Sequence, residues 1–503
     1  MELDVVSQEG DLEAEVADIT DDSRLVKPGT FFVAVKGTQV DGHDFLDQAC
    51  QQGAVGIMVE TPFRRRRPPA LGRHRPAIIE VNDTRAALGH VASHFWKEPS
   101  RSLAMIGVTG TNGKTTVTHL AKGLLETSGR KVGLLGTIGY VVGSEHFIAS
   151  HTTPGAVALQ SLLSKMVDAG ADSAVLEVSS HALAMDRVAG CEFDIAVFTN
   201  LTQDHLDFHR DMEDYFRAKL RLFQEYVAPK RKASPKRAIV NIDDEWGKRI
   251  LRQCEVPVWS YSIRCAADLR ATDLSLSIDG TRFTAVTPIG AMSIHSPLVG
   301  EHNVSNLLAA VGIGIECGLS PEIIQQGISD FRAVPGRFEL ISEGQDFAVV
   351  VDYAHTEDAL ARLLAAAQAL NKGRIITVFG CGGDRDRGKR PKMGQVAARN
   401  SDLVIVTSDN PRTEDPSAII HDIEQGILAL SESERTSYRL IPDRREAIHA
   451  AIREAAPQDM VLIAGKGHED YQIIGTERVH FDDREAARDA LAVRMKAGER
   501  PAE

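Results

Sequence analysis

Basic residues are outnumbered in this chain: 57 Lys and Arg against 70 Asp and Glu leave a formal charge of −13 over 503 residues. A nucleic-acid backbone is held by a basic face, so nucleic acid is excluded as a partner, while small anions at local sites are not. Cysteine is sparse as well. The six, Cys50, Cys191, Cys254, Cys265, Cys317 and Cys381, are scattered without a paired metal spacing and are expected to be small buried hydrophobes in a reducing cytoplasm. No apolar run approaches the roughly 20 residues that a membrane helix needs. The acidic start, MELDVVSQEGDLEAEVADITDD, has neither the basic nor the apolar region of a secretory signal. A cytoplasmic chain with no membrane insertion is the expectation. Short-period repeats and low-complexity tracts are absent too, which excludes solenoids and long linkers. What remains, 43% hydrophobic and 25% charged residues, is the composition of a globular enzyme, in a chain too long for one core.

Apolar runs between Gly, Pro and Asp/Asn punctuation divide the chain into three segments. In residues 1–100, FFVAV, GIMVE and AIIEV read as short buried strands, with a helix at FLDQACQQG. The run RRRRPP at 64–69 reads as a solvated loop, since proline and like charges oppose regular structure; a ligand-steering basic patch is the alternative. Residues 101–335 open with LAMIGV, a glycine loop and the helical spacing of TVTHLAKGLLETSG, followed by strands at AVLEVS, DIAVFTN, RAIVNI and VPVWSYS and an antiparallel pair around Asp279-Gly280. Residues 336–503 repeat the βα alternation through FAVVVDYA, RIITVFG, LVIVTS and MVLIAG. The fold class expected is α/β in three domains, with a central P-loop ATPase-like parallel sheet and a C-terminal doubly wound, Rossmann-like domain.

The loop GVTGTNGKTT at 107–116 departs from the usual phosphate-loop spacing, because Val108 stands where the first glycine belongs. The physics is retained. Gly107, Gly110 and Gly113 allow the backbone to approach an anion closely, the following helix presents its N-terminal amides, Lys114 brings charge, and Thr115 can bind Mg²⁺. Thr111, Asn112 and Thr116 complete the stretch.

TGTNGKTT has the form of the ATP loop of the Mur ligase family, and further stretches of the chain resemble that family in its order. They are TTP at 152–154, EVSSHAL at 177–183, TNLTQDHLDFH at 199–209, YFRAKLRLF at 215–223, GEHNVSNLLAA at 300–310, PGRFE at 335–339, DYAHT at 352–356, GCGGDRDRGKRP at 380–391, DNPR at 409–412 and GKGHE at 465–469. The resemblance implies an ATP-dependent amide ligase working through an acyl phosphate, with ATP as co-substrate and Mg²⁺ as cofactor. It carries metal roles to Thr115, Glu177, His205 and Lys219, the last as a carbamate. It places Asn303, Arg337, Asp352 and His355 around ATP, beside the loop residues Gly110 to Thr116. Read alone, His205 is a loop histidine making a hydrogen bond, and Lys219 an exposed lysine on a charged helix face.

For substrates, the resemblance implies UDP-MurNAc-L-Ala-D-Glu, held by Ser23, Thr38, Gln39, Val40, Thr152, Thr153, Ser179 and Arg187, and meso-diaminopimelate. Arg412 would pair with the far carboxylate of the latter, Arg385 and Glu469 would hold its remaining carboxylate and ammonium groups, and Asp409, Asn410, Pro411 and Gly465 would line the pocket. Residues 1–100 would then bind the nucleotide sugar, 101–335 ATP and 336–503 the amino acid, in a monomer whose domains close on their ligands. Two positions depart from the family pattern: Met185 stands for a glutamine and Glu357 for a proline. The alternatives are a lysine-adding ligase, a folylpolyglutamate synthetase, and an ATP-binding switch that forms no amide.

Overall fold

The computed structural model describes residues 4–37, 40–62, 76–227, 232, 235–277, 280–332 and 334–498. Thr38, Gln39, Asp279 and the basic run at 64–69 lie outside the described residues. Three large sheets organise the described residues, with a fourth, two-stranded one formed by Tyr471–Ile474 and Glu477–His480.

The first has five strands in the order Val5–Glu9, Ala77–Val81, Gly56–Glu60, Thr30–Val33, Asp18–Thr20, parallel except for the first pair. The two-residue period of a strand sorts its side chains between two cores. Phe31, Val33 and Met58 pack with Ala87, Leu88 and Ala92 of the helix Thr84–Phe95 on one face. Phe32, Ile57 and Val59 pack with Leu46, Ala49 and Cys50 of the helix Leu46–Gln51 on the other.

The second sheet has eleven strands, and its middle decides where chemistry can occur. Strand Ala104–Thr109 lies between Ser173–Glu177 and Ile195–Phe198, all three parallel. Parallel neighbours end at the same edge, so the glycine loop, Glu177 and the segment from Thr199 emerge side by side at the carboxyl end of the sheet, where ligands of open α/β sheets bind. The antiparallel strands Leu269–Ser277, Gly280–Thr287 and Gly290–Ser296 extend one flank, in agreement with the sequence reading. The third sheet has six strands, Glu339–Leu340, Ala348–Asp352, Met460–Ala464, Ile375–Phe379, Leu403–Val406 and Ser437–Leu440, of which only Glu339–Leu340 runs antiparallel.

All six cysteines are free. Cys50, Cys191 and Cys381 are buried as expected, but Cys254 and Cys317 are only partly so and Cys265 is exposed. Cys265 sits in the bend after strand Val258–Ser262, where no sheet face is available to cover it. Among the described residues, no helix is long and apolar enough to cross a membrane.

Candidate active site

The glycine loop joins strand Ala104–Thr109 to helix Lys114–Thr127 with Gly110 at φ 148° and Gly113 at φ 87°. Side chains are barred there by space as well as by backbone. A Cβ on Gly110 would lie 1.9 Å from Thr199 Oγ1, and one on Gly113 2.4 Å from Asn306 Oδ1. The neighbouring strand end supports the loop from beneath: Asn200 Oδ1 accepts from Asn112 N at 3.0 Å, while Asn200 Nδ2 and Thr199 Oγ1 donate to Asn112 O at 3.2 and 2.6 Å. These groups were not singled out in the sequence. The polar pair Thr-Asn directly after an apolar strand was the available signal.

Two lysines converge on the loop. Lys114 Nζ donates to Gly110 O at 3.0 Å and Thr111 O at 2.7 Å, and Lys219 Nζ donates to the same Gly110 O at 2.8 Å. Lys219 is 1% exposed, contrary to its reading as a surface lysine. It shares a face of helix Met212–Arg221 with Tyr215, four residues earlier, whose hydroxyl lies 3.1 Å from Thr111 Oγ1. Burial, and then the charge of Lys114, push Lys219 well below the ordinary lysine range. Only the unprotonated amine of a lysine reacts with CO₂, and these surroundings favour that form.

Glu177, also 1% exposed, accepts from Thr137 N at 2.9 Å and Thr137 Oγ1 at 3.0 Å. His205 has a left-handed backbone, φ 55°, and burial pushes its ring down to about 3, against Asp204. It is therefore neutral near pH 7. Asp204 remains a carboxylate: burial works against it, but His205, His355 and Lys389 outweigh that effect. The donors at this edge, the Thr115 hydroxyl and the Glu177 and Asp204 carboxylates, are the hard oxygens that Mg²⁺ takes, so the residues fit that ion. Among the described residues no three His, Cys, Asp or Glu side chains form a metal cluster.

The C-terminal unit reaches this edge. Arg337 Nη2 donates to Thr115 Oγ1 at 3.2 Å, and its guanidinium stacks 4.4 Å from the centre of the Tyr353 ring. Asp352 accepts from Phe338 N and Ala354 N at 2.7 and 2.8 Å, and His355 Nδ1 lies 2.9 Å from Tyr353 O. Asn112 Nδ2 also donates to Asp358 Oδ2 at 2.9 Å, and Lys392 Nζ to Gln203 Oε1 at 2.5 Å. Asn303 turns its amide to Val299 O and Asn306, and it is Asn306 that stands against the loop. Glu357 is the first residue of helix Glu357–Leu370, after the Thr356 cap, a position where an acidic side chain suits the helix dipole.

Thr152, Thr153, Ser179 and Arg187 form one hydrogen-bonded group beside Glu177. Thr153 Oγ1 donates to Glu177 O at 2.7 Å and accepts from Ser179 N at 3.0 Å, Arg187 Nη1 donates to Thr153 O at 3.1 Å, and the Thr152 hydroxyl lies 3.1 Å from that of Thr137. Met185 places its sulfur 3.5 Å from Arg187 Nη2. Asp21 of the N-terminal unit acts on Arg187 electrostatically; Ser23 is buried and Val40 is 56% exposed.

The turn after strand Leu403–Val406 carries Asp409 to Arg412. Asn410 Oδ1 accepts from Lys466 Nζ and Ile473 N, both at 3.0 Å, and its Nδ2 donates to Glu469 Oε2 at 2.8 Å. Pro411 O accepts from Glu414 N at 3.1 Å, and Gly465, at φ 116°, leaves 2.8 Å between a would-be Cβ and Asp409 Oδ2. Arg412 donates to Gly383 O at 2.7 Å. Burial first, and Arg385 next, push its guanidinium down. Neither arginine has a carboxylate in ion-pair contact among the described residues. Beneath the turn, buried Arg444 pairs with Asp483 at 2.7 Å and donates to Ser408 O and Ala464 O, tying together the two strand ends that bear the pocket. Breaking such a pair costs about 3–5 kcal/mol.

Three family models match in succession: Mur ligase family, catalytic domain, over residues 15–96; Mur ligase middle domain over 108–314; and Mur ligase, glutamate ligase domain, over 336–467. A protein of Geobacter metallireducens named UDP-N-acetylmuramoyl-L-alanyl-D-glutamate--2,6-diaminopimelate ligase is 47% identical over 487 residues, 95% of this chain and 94% of that one. Its namesake in Thermosynechococcus vestitus is 49% identical over 489 residues, 96% and 95% of the two chains. A solved structure of a ligase of the same name is 35% identical, covers 95% of each chain and superposes with a TM-score of 0.67.

Proposed function

This chain belongs to the Mur ligase family, and from that premise we infer that it is the ATP-dependent ligase adding meso-2,6-diaminopimelate to UDP-N-acetylmuramoyl-L-alanyl-D-glutamate in peptidoglycan precursor synthesis. The D-glutamate carboxylate of the acceptor takes the γ-phosphoryl group of ATP, and ADP leaves. The diaminopimelate amine adds to the acyl carbon of the resulting acyl phosphate, and the tetrahedral intermediate expels phosphate as the amide forms. Negative charge builds on phosphoryl oxygens in both steps, so cations and positioning supply the catalysis.

Lys114 and the amides of residues 110–116 hold the phosphates, and Arg337 reaches the transferring group from the opposite unit. Asn303, Asp352 and His355 flank the nucleotide. Thr115, Glu177, His205 and Lys219 as a carbamate would hold Mg²⁺, which when bound neutralises the phosphoryl oxygens. Carbamylation would turn the buried Lys219 amine into an anion beside Lys114: the unprotonated nitrogen bonds to the CO₂ carbon and releases one proton. Ser23, Thr38, Gln39, Val40, Thr152, Thr153, Ser179 and Arg187 hold the nucleotide sugar. Arg385, Asp409, Asn410, Pro411, Arg412, Gly465 and Glu469 hold diaminopimelate. Residues 1–100, 101–335 and 336–503 divide these tasks in a cytoplasmic monomer.

The observation that carries the choice of amino acid is the pair Arg412 and Arg385, guanidinium groups close enough to repel with no carboxylate of the described residues in ion-pair contact with either. A dicarboxylic amine supplies what they lack, whereas lysine would bring a third cation. Phosphate release is measured with ATP, the UDP-dipeptide and either diaminopimelate, lysine or glutamate. The expected result is release and a tripeptide product with diaminopimelate. Preference for lysine or glutamate would reject the assignment, and absence of any product would leave an ATP-binding switch.

A further inference from the structure

Lys466 has no part in the roles given above, yet it lies at the centre of the amino-acid pocket. Its side chain is wholly buried. The ammonium reaches Asn410 Oδ1 at 3.0 Å, Glu469 Oε2 at 3.3 Å and Asp409 Oδ1 at 3.4 Å, three residues that come from two separate turns. We propose that Lys466 is a positioning residue of this pocket: by standing between the Asp409 and Glu469 carboxylates it keeps Glu469 ionised and its Oε1 turned to the substrate ammonium, and so sets affinity for the incoming amino acid.

The geometry leaves little alternative. Glu469 Oε2 already accepts from both Asn410 Nδ2 and Lys466, so Oε1 is the oxygen left for a ligand. Asn410 is fixed in turn, because Lys466 and the Ile473 amide both donate to its oxygen and thereby aim its NH₂ at Glu469. Two carboxylates this close and this buried are not both ionised without a cation between them. Burial and Asp409 already raise Glu469, and Lys466 is the principal opposing charge. Arg444 and Arg412 bear on the same carboxylates from the neighbouring helix and turn, and the hydroxyls of Tyr353 and Tyr471 face them as well. None of these but Lys466 makes an ion pair with Asp409 or Glu469.

The inference rests on the diaminopimelate-ligase reading, and its test separates the two. If wild type releases no phosphate with diaminopimelate, that reading fails before Lys466 is examined. Given wild-type turnover, Lys466→Met is expected to raise the KM for diaminopimelate roughly 10- to 100-fold at pH 7, the range for a lost charge-assisted bond, with the KM for ATP and the UDP-dipeptide unmoved. Without its cation Glu469 takes up a proton, so its carboxylate is present only above a raised pKa. The KM defect should therefore shrink as pH is raised, by more than any change in wild type over the same range. Lys466→Gln, which keeps a donor without the charge, should show the same pH-dependent loss. In a Glu469→Gln background, Lys466→Met should add almost nothing. A defect shared by all three substrates, independent of pH, or additive with Glu469→Gln would overturn the proposal, as would an unchanged KM.

Discussion

Lysines are treated in opposite ways at two sites of this molecule. At the glycine loop, Lys114 and Lys219 crowd one carbonyl, that of Gly110, and neither has a carboxylate within ion-pair distance among the described residues. In the amino-acid pocket, Lys466 lies against two carboxylates and an amide oxygen. The first site sets its two amines against a backbone carbonyl and leaves them to meet a polyanion that comes and goes with each turnover. The second is balanced internally and suits a zwitterion, for which orientation matters more than net charge.

The comparison breaks most visibly if the unbalanced site is altered. Lys219→Ala should lower kcat by about 10²- to 10³-fold, the scale of removing one preorganised charge-stabilising group, and added acetate or formate should restore part of it by standing in for the carbamate. Full activity without additives would remove the loop's claim to a modified lysine. In the balanced site the effect should appear in binding. Arg412→Ala is expected to raise the KM for diaminopimelate roughly 10- to 100-fold while that for ATP moves less than about twofold, as for loss of one charge-assisted contact; equal changes in both would deny the pocket its specificity. The smallest effect should come from the support beneath the loop. Asn200→Ala removes two hydrogen bonds to the Asn112 backbone and should lower kcat/KM for ATP about tenfold, leaving the KM for diaminopimelate unchanged. Steady-state kinetics with each substrate varied in turn would read all three.

Much of this was legible from one dimension. GIMVE, AIIEV and MVLIA fill strands Gly56–Glu60, Ala77–Val81 and Met460–Ala464, because short apolar runs rich in β-branched residues leave little ambiguity. Strand Val5–Glu9 escaped notice: its side chains are exposed or half-buried and partly acidic, so an edge position looks like a tail. The motif residues were found, but not their burial. Lys219 looked solvated because its helix is strongly charged, and only the packing of that helix against the glycine loop reveals which face is inward. Asn306 and Asn200 lie within quoted motifs, but their roles are not legible there for a related reason. Each acts by closeness to glycine-loop residues more than 80 positions away in the chain, a distance that local pattern does not encode.

That the glycine loop, Glu177 and Thr199 leave adjacent parallel strands has a consequence for tolerance to change. Their lateral separation is fixed by the ladder spacing of about 4.8 Å between neighbouring strands, a dimension that side-chain substitution scarcely alters. Growth or trimming of the distant hairpin Leu269–Thr287 therefore leaves the reacting centre in tune, whereas one residue inserted within Ala104–Thr109 would flip every side chain beyond it to the opposite face.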